Sequence, residues 1–187
     1  MIAARMSKLI YITNTSLDGY IEDEKGDFDW LNPDQVFDVI TELLRPVGTH
    51  LLGQRLYETM AHWGAPIDSY PSEQREFTRV WQKAEKIVYS RKLTELATPN
   101  TRIENDFHVG AVKKLKQESE RDIVIGGADL ARLALEAGLI DECHLFVNPV
   151  VIGHGKPAFR TDGRLNLELL ATRPFSTGVV HVHYRVR

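Results

Sequence analysis

One stretch constrains the fold more than any other: Asp122-Ile-Val-Ile-Gly-Gly-Ala-Asp-Leu-Ala-Arg-Leu-Ala-Leu-Glu-Ala-Gly138. Ile123, Val124 and Ile125 form a short β-branched run that stops at Gly126-Gly127, after which Leu130, Leu133, Ala134 and Ala137 recur at helical spacing until Gly138. The pattern predicts a buried strand, a glycine turn and an amphipathic helix. Two glycines at such a junction let backbone approach a ligand closely, and the free N–H groups and positive dipole end of the helix suit an anion such as a pyrophosphate. The same residues also suit a plain βα turn, because no full dinucleotide fingerprint is present.

The rest of the chain repeats the strand and helix alternation. Lys8 to Asn14 is apolar and β-branched and empties into the turn residues Thr15 to Gly19, which predicts a central first strand. Asn32 and Pro33 are suited to open a helix that buries Val36, Val39, Ile40, Leu43 and Leu44 and stops before Pro46. Thr49 to Gly53 reads as a second strand feeding a helix from Arg55 to about Ala61. Ser72 is placed to cap a third helix reaching about Ala84, with Phe77, Val80 and Trp81 inward. Strands follow at Lys86 to Ser90 and Thr101 to Glu104, then a helix from about Val109 to Ser119. Beyond Gly138 come a strand at Glu142 to Val147, a glycine-rich loop from Pro149 to Pro157, and two strands with no helix between them, about Leu165 to Ala171 and Gly178 to Arg187. Strands alternating with helices predict an α/β fold, a mostly parallel sheet covered on both faces, and the last two strands predict an antiparallel hairpin at its edge.

A chain of 187 residues, 43% hydrophobic, fits one domain, with residues 1–6 expected as a flexible extension and Met6 a candidate start. The formal charge of -3 gives no broad basic field, which argues against nucleic acid as a partner and for a small molecule. A single cysteine, Cys143, excludes an internal disulfide or a multi-cysteine metal site, so a reducing cytoplasm is the expected setting. No signal peptide or membrane-spanning stretch is legible. His181 and His183 share a strand face with Arg185 and Arg187, which predicts a solvated edge and no metal.

Several segments resemble one family, in order. Ser16-Leu-Asp-Gly19, Leu51-Leu-Gly-Gln-Arg-Leu-Tyr-Glu58, Val88-Tyr-Ser-Arg91, Ile125-Gly-Gly-Ala-Asp-Leu-Ala131, Gly138-Leu-Ile-Asp-Glu142 and Pro149 to Phe159 are similar to the dihydrofolate-reductase-like superfamily. The closest branch is the C-terminal reductase domain of the riboflavin-biosynthesis deaminase–reductase and its stand-alone relatives. The resemblance implies a three-layer α/β/α domain with NADPH at the carboxyl ends of the strands. Gly53, Gln54, Arg55 and Leu56 match the segment beside the adenosine half, Ser90 and Arg91 the strand end that holds the 2′-phosphate, and Gly126, Gly127, Ala128, Asp129 and Leu130 the pyrophosphate segment. A hydroxyl and a guanidinium suit a dianionic phosphate, which favours NADPH over NADH. Arg91 also fits a solvated charge at the end of a strand.

The implied activity is reduction of a small heterocyclic or imine-type substrate, as in the 5-amino-6-(5-phosphoribosylamino)uracil reductase of riboflavin biosynthesis. Dihydrofolate reduction and nucleotide binding without turnover are the alternatives. Asp18, Asp29 and Trp30 are the candidates for the reacting end, and Asp18 as proton donor would need a pKa raised by burial; Asp18-Gly19 is equally a turn dipeptide. Where folate enzymes often carry Arg and Thr after the glycine of the second strand, this chain has Gln54 and Leu56. Gln35 falls where their pterin-binding carboxylate stands, with Asp34 beside it but about 100° round the helix. Lys156 is a candidate for an anionic substrate or cofactor group. A cis peptide at Gly126-Gly127 and a homodimer are further implications of the resemblance, and the apolar segment around Phe146 to Ile152 is the part of the chain expected at its interface.

Overall fold

The computed structural model describes residues 6–31 and 36–187. In chain order the elements are β1 (Leu9–Thr15), β2 (Tyr20–Glu22), α1 (Phe37–Leu44), β3 (Val47–Gly53), α2 (Gln54–Met60), α3 (Arg75–Lys83), β4 (Glu85–Tyr89), β5 (Thr101–Glu104), α4 (Val109–Glu118), β6 (Asp122–Gly126), α5 (Ala128–Glu136), β7 (Glu142–Val147), β8 (Lys156–Pro157), β9 (Leu167–Pro174) and β10 (Val180–Val186). Eight strands form one sheet in the order β5-β4-β3-β6-β1-β7-β10-β9. The first six positions are parallel, and β10 joins both β7 and β9 antiparallel. This is the α/β/α arrangement and the C-terminal hairpin that the alternation predicts.

Alternation along the strands divides the core between the two faces. Leu9, Tyr11, Leu51, Ile87, Ile123 and Ile125 bury against α4 and α5 on one side. Ile10, Val47 and Val124 meet α1 and α3 on the other, through Leu44, Phe77 and Trp81. Burying an aliphatic side chain of this size contributes roughly 1.5–3 kcal/mol, so the central strands β3, β6 and β1 hold the layers together.

Several boundaries differ from the sequence-based expectation. The start expected for the first helix, Asn32 and Pro33, lies outside the described residues, as do Asp34 and Gln35. Ser72 does not cap α3; it belongs to a 3-10 turn, Ser72–Gln74, and its hydroxyl donates to Glu73. A second, two-stranded sheet of β2 and β8 stands where loops are predicted. No peptide bond among the described residues is cis, so the expected cis bond between Gly126 and Gly127 is trans. The reversal into α5 is made by the dihedrals of Gly127 instead, at φ 93° and ψ 121°, a conformation open mainly to glycine. Phe146, expected at an interface, is fully buried against Val36, Val39 and Val179, whereas Val151 is exposed.

Candidate active site

The carboxyl ends of β3, β4 and β6 open into a cleft of about 560 Å³. Its position follows from the connections. α2 leaves β3 on the face of Leu52 and Val88, and α5 leaves the neighbouring strand β6 on the opposite face, so the two chains part and leave a crevice between them. Gly53 to Leu56, Ser90, Arg91 and Gly127 to Leu130 all line it, and Tyr89, Asp106 and Phe107 complete the wall beside β4 and β5. Gly126 lies beneath the lining, where a Cβ would come within 2.4 Å of Leu56 Cδ2. A Cβ on Gly127 would lie 3.8 Å from the Gly53 nitrogen, so the two glycine turns face each other as bare backbone.

Ser90, Arg91 and Asp129 of the cleft are already partnered. Ser90 Oγ donates to Gln54 Oε1 at 2.6 Å and accepts the N–H groups of Lys92 and Leu93 at 3.0 and 2.9 Å. It therefore ties the β4 end to α2 as well as facing the cleft. Arg91 Nε donates to Asp106 Oδ1 at 2.9 Å, and a second guanidinium nitrogen contacts the same oxygen. Asp129, at the first turn of α5, takes Lys156 on one oxygen and Arg160 on the other at 2.8 Å. Burial alone would raise the Asp129 carboxyl, but these two cations outweigh it and hold it below the usual carboxylate range. Lys156 thus enters the site as the counter-charge of Asp129.

A second cavity of about 550 Å³ adjoins the first, since Arg55 and Lys156 line both. Tyr20, Glu22, Gly26 and His154 add to its wall. Arg55 donates to Glu22 Oε1 and to the Gly26 carbonyl, each at 2.9 Å, so it bridges α2 to β2 and the loop after it.

Asp18 differs from the expectation of a buried proton donor. It is exposed, and hydrogen bonding to Ser16 first of all, then the N–H groups of Gly153 at 2.8 Å and Ile152 at 3.3 Å, hold its carboxyl below the usual range. Such a group stays ionised and clamps two loops together. Asp29 is exposed and Trp30 half-buried on the loop after Gly26, and neither lines the two cavities. Trp30 Nε1 is nevertheless buried without a hydrogen-bond partner among the described residues.

Sequence reasoning missed Asp106 and Phe107, which reach the cleft only because β5 pairs beside β4. It also misread β10. His181 is buried and His183 half-buried because β9, the true edge, lies outside them and Phe146 and His144 stack beneath.

Residues 7–181 match the family model described as RibD C-terminal domain. The chain belongs to the RibD C-terminal domain family. It is 34% identical over 186 residues to protein YyaP of Bacillus subtilis (strain 168), covering 96% of this chain and 95% of that protein. A pyrimidine reductase-like protein from Corynebacterium diphtheriae shares the fold with a TM-score of 0.71 at 14% identity, over 97% of this chain and 92% of that one. Dihydrofolate reductase from Enterococcus faecalis, solved with NADP(H), superposes with a TM-score of 0.66 at 16% identity, over 97% and 98% of the two chains. The carboxyl-end cleft is the candidate active site of this domain.

Proposed function

We propose that this protein is an NADPH-dependent oxidoreductase acting on a small heterocyclic or imine-type substrate, related in chemistry to the pyrimidine reduction of riboflavin biosynthesis. The observation that carries the reading is the slot between Gly53 and Gly127, two side-chain-free turns at the carboxyl ends of adjacent strands. The fit to a dinucleotide rests on the donor set. Gly127 and the first turn of α5 offer backbone N–H groups to a pyrophosphate, and the bare glycines let it approach within hydrogen-bonding distance. Asp129 would oppose an anion there, but Lys156 and Arg160 neutralise it. Arg91 stands at the end of β4 for the 2′-phosphate, Ser90 joining it only by exchanging its bond to Gln54, and the likeness to a dihydrofolate reductase solved with NADP(H) favours the same orientation.

Bound NADPH would supply the hydride, and the chain's own part is orientation and exclusion of water. The adjoining cavity beside β2 and β8 is the space for the substrate, with His154 at its rim and Glu22, Asp23 and Glu24 in its wall. Nucleotide binding without turnover is a second reading, favoured by one observation: the acid that follows β1, Asp18, is exposed and held ionised. The separating experiment titrates the protein with NADPH by fluorescence and then follows loss of reduced nicotinamide across a panel of pyrimidine, pterin and cyclic imine compounds. Saturable binding with consumption supports the reductase, and binding without consumption supports the second reading. If NADPH fails to bind at all, both readings fall.

A further inference from the structure

A cluster of ionisable side chains lies at the opposite end of the sheet from the cleft, and no part of the proposed reduction uses it. Glu142 opens β7 and His144 follows two residues on, so both project from the same face. His183 of β10 is paired directly opposite His144, and the two imidazoles stack with centroids 3.9 Å apart. His183 Nε2 lies 3.0 Å from Glu142 Oε2. One ligand atom from each of Glu142, His144 and His183 falls within 4.8 Å of the others. Glu142 and His144 are buried, while the His183 side chain keeps 21% of its exposure and leaves a way in from solvent.

We propose that Glu142, His144 and His183 form a binding site for a divalent transition-metal ion of the zinc class. Two imidazoles and one carboxylate are a donor set suited to zinc and its neighbours and a poor one for calcium or magnesium. The surroundings are built for ligation. Lys8 Nζ lies 2.6 Å from Glu142 Oε1, so it holds one carboxylate oxygen and leaves the other, Oε2, turned toward His183. His144 Nδ1 lies 2.9 Å from His181 Nε2, with Phe146 stacked on His181, so the His144 ring is fixed in orientation by a second imidazole. Ligand atoms up to 4.8 Å apart must close by roughly 1 Å to share a metal with bonds of about 2.0–2.2 Å. His183, the most exposed of the three, is the one free to move. The ion would fasten the C-terminal hairpin to β7, and its site is independent of the cofactor cleft.

The test is calorimetric titration of tag-free protein with zinc chloride near pH 7.5 in a non-chelating buffer. Saturable uptake of one ion per chain is expected, with a thermal midpoint raised by roughly 5–10 °C when zinc stands a hundredfold above its Kd. His183→Gln should weaken zinc at least tenfold, whereas His62→Gln, at an exposed histidine remote from the cluster, should leave it unchanged. If His183→Gln does not fold, long-range nitrogen–proton NMR of the wild-type imidazoles reads the same point: zinc must shift the His144 and His183 ring nitrogens. Absence of saturable uptake, undiminished uptake by folded His183→Gln, or shifts confined to other histidines each overturn the site.

Discussion

Arg91 reaches the cleft already engaged with Asp106, so an incoming phosphate has to share the guanidinium with a carboxylate. Both partners are well exposed, and the ion pair itself is worth little. A phosphate dianion that displaces or joins Asp106 gains a charge-assisted contact of roughly 1.5–3 kcal/mol. Arg91→Ala should therefore weaken NADPH about tenfold or more and leave NADH nearly unchanged, while Asp106→Asn should tighten NADPH severalfold by removing a competing acceptor of like charge. Parallel titrations with the two cofactors check this, and equal losses for both in Arg91→Ala would refute the 2′-phosphate role. Arg91 is legible in the sequence because it ends a β-branched run. Asp106 is not, because its effect depends on β5 pairing with β4. Gln35, singled out in the sequence by its register with the folate enzymes, lies outside the described residues. If it takes the place of the folate enzymes' carboxylate, an uncompensated pterin donor costs roughly 1–3 kcal/mol, and lost protonation adds to that. Dihydrofolate should then be reduced at least about a hundredfold less efficiently than by a dedicated folate enzyme, and Gln35→Asp should improve it. Ordinary dihydrofolate turnover by the wild type would be decisive against the alignment.

The turn between β6 and α5 shows how local pattern and tertiary contact divide the information. Its existence is readable, since three β-branched residues, two glycines and a helical repeat leave few alternatives. What each glycine does is not, because the reasons lie on another element. Gly127 needs its positive φ, and Gly126 needs to be small because Leu56 of α2 stands over it. Gly126→Ala would force Leu56 toward the cleft that it lines, so cofactor affinity should fall by about tenfold while the fold survives, the clash being with the end of a flexible side chain. Unchanged NADPH affinity in a folded Gly126→Ala protein would show that Leu56 relaxes elsewhere. The small sheet of β2 and β8 escapes sequence reading because strands of three and two residues are too short to show a period. β10 shows its alternation plainly, yet the burial runs against it. His181 is more buried than the valines on either side, because β7 and β9 flank it and Phe146 and His144 stack on its ring.

Across the whole molecule the strand order is what the sequence leaves open. β1 sits centrally with β6 and β7 on either side, and the chain reaches β5 at one edge before returning between β3 and β1. That return creates the cleft, and the last hairpin extends the other edge with β9, whose Leu167 and Leu169 are exposed. The homodimer implied by the family resemblance remains an expectation that light scattering at micromolar concentration checks, a monomer refuting it. Stability against acid is a second property of the whole, and it can be traced to the core beneath α3. His50 on β3 is buried, its Nε2 has no hydrogen-bond partner among the described residues, and Lys86 stands opposite on β4 with its ammonium held by the carbonyls of Gln82, Ala84 and Pro99. Burial first, and the Lys86 charge second, push the His50 pKa down to about 3. An unfolded histidine titrates near 6.5, so between about pH 6.5 and 3 the unfolded chain binds a proton that the native protein refuses. Stability must then fall as the pH drops below about 6.5, by about 2 kcal/mol from this residue between pH 7.5 and pH 5. His50→Leu removes the titrating group and the orphaned nitrogen together. Urea midpoints at the two pH values should show the variant losing less stability than the wild type by about that amount, and gaining roughly 1–3 kcal/mol at neutral pH from loss of the orphaned nitrogen. Parallel losses in the two proteins would mean that His50 takes up its proton in the native state, and the neutral buried imidazole would have to be abandoned.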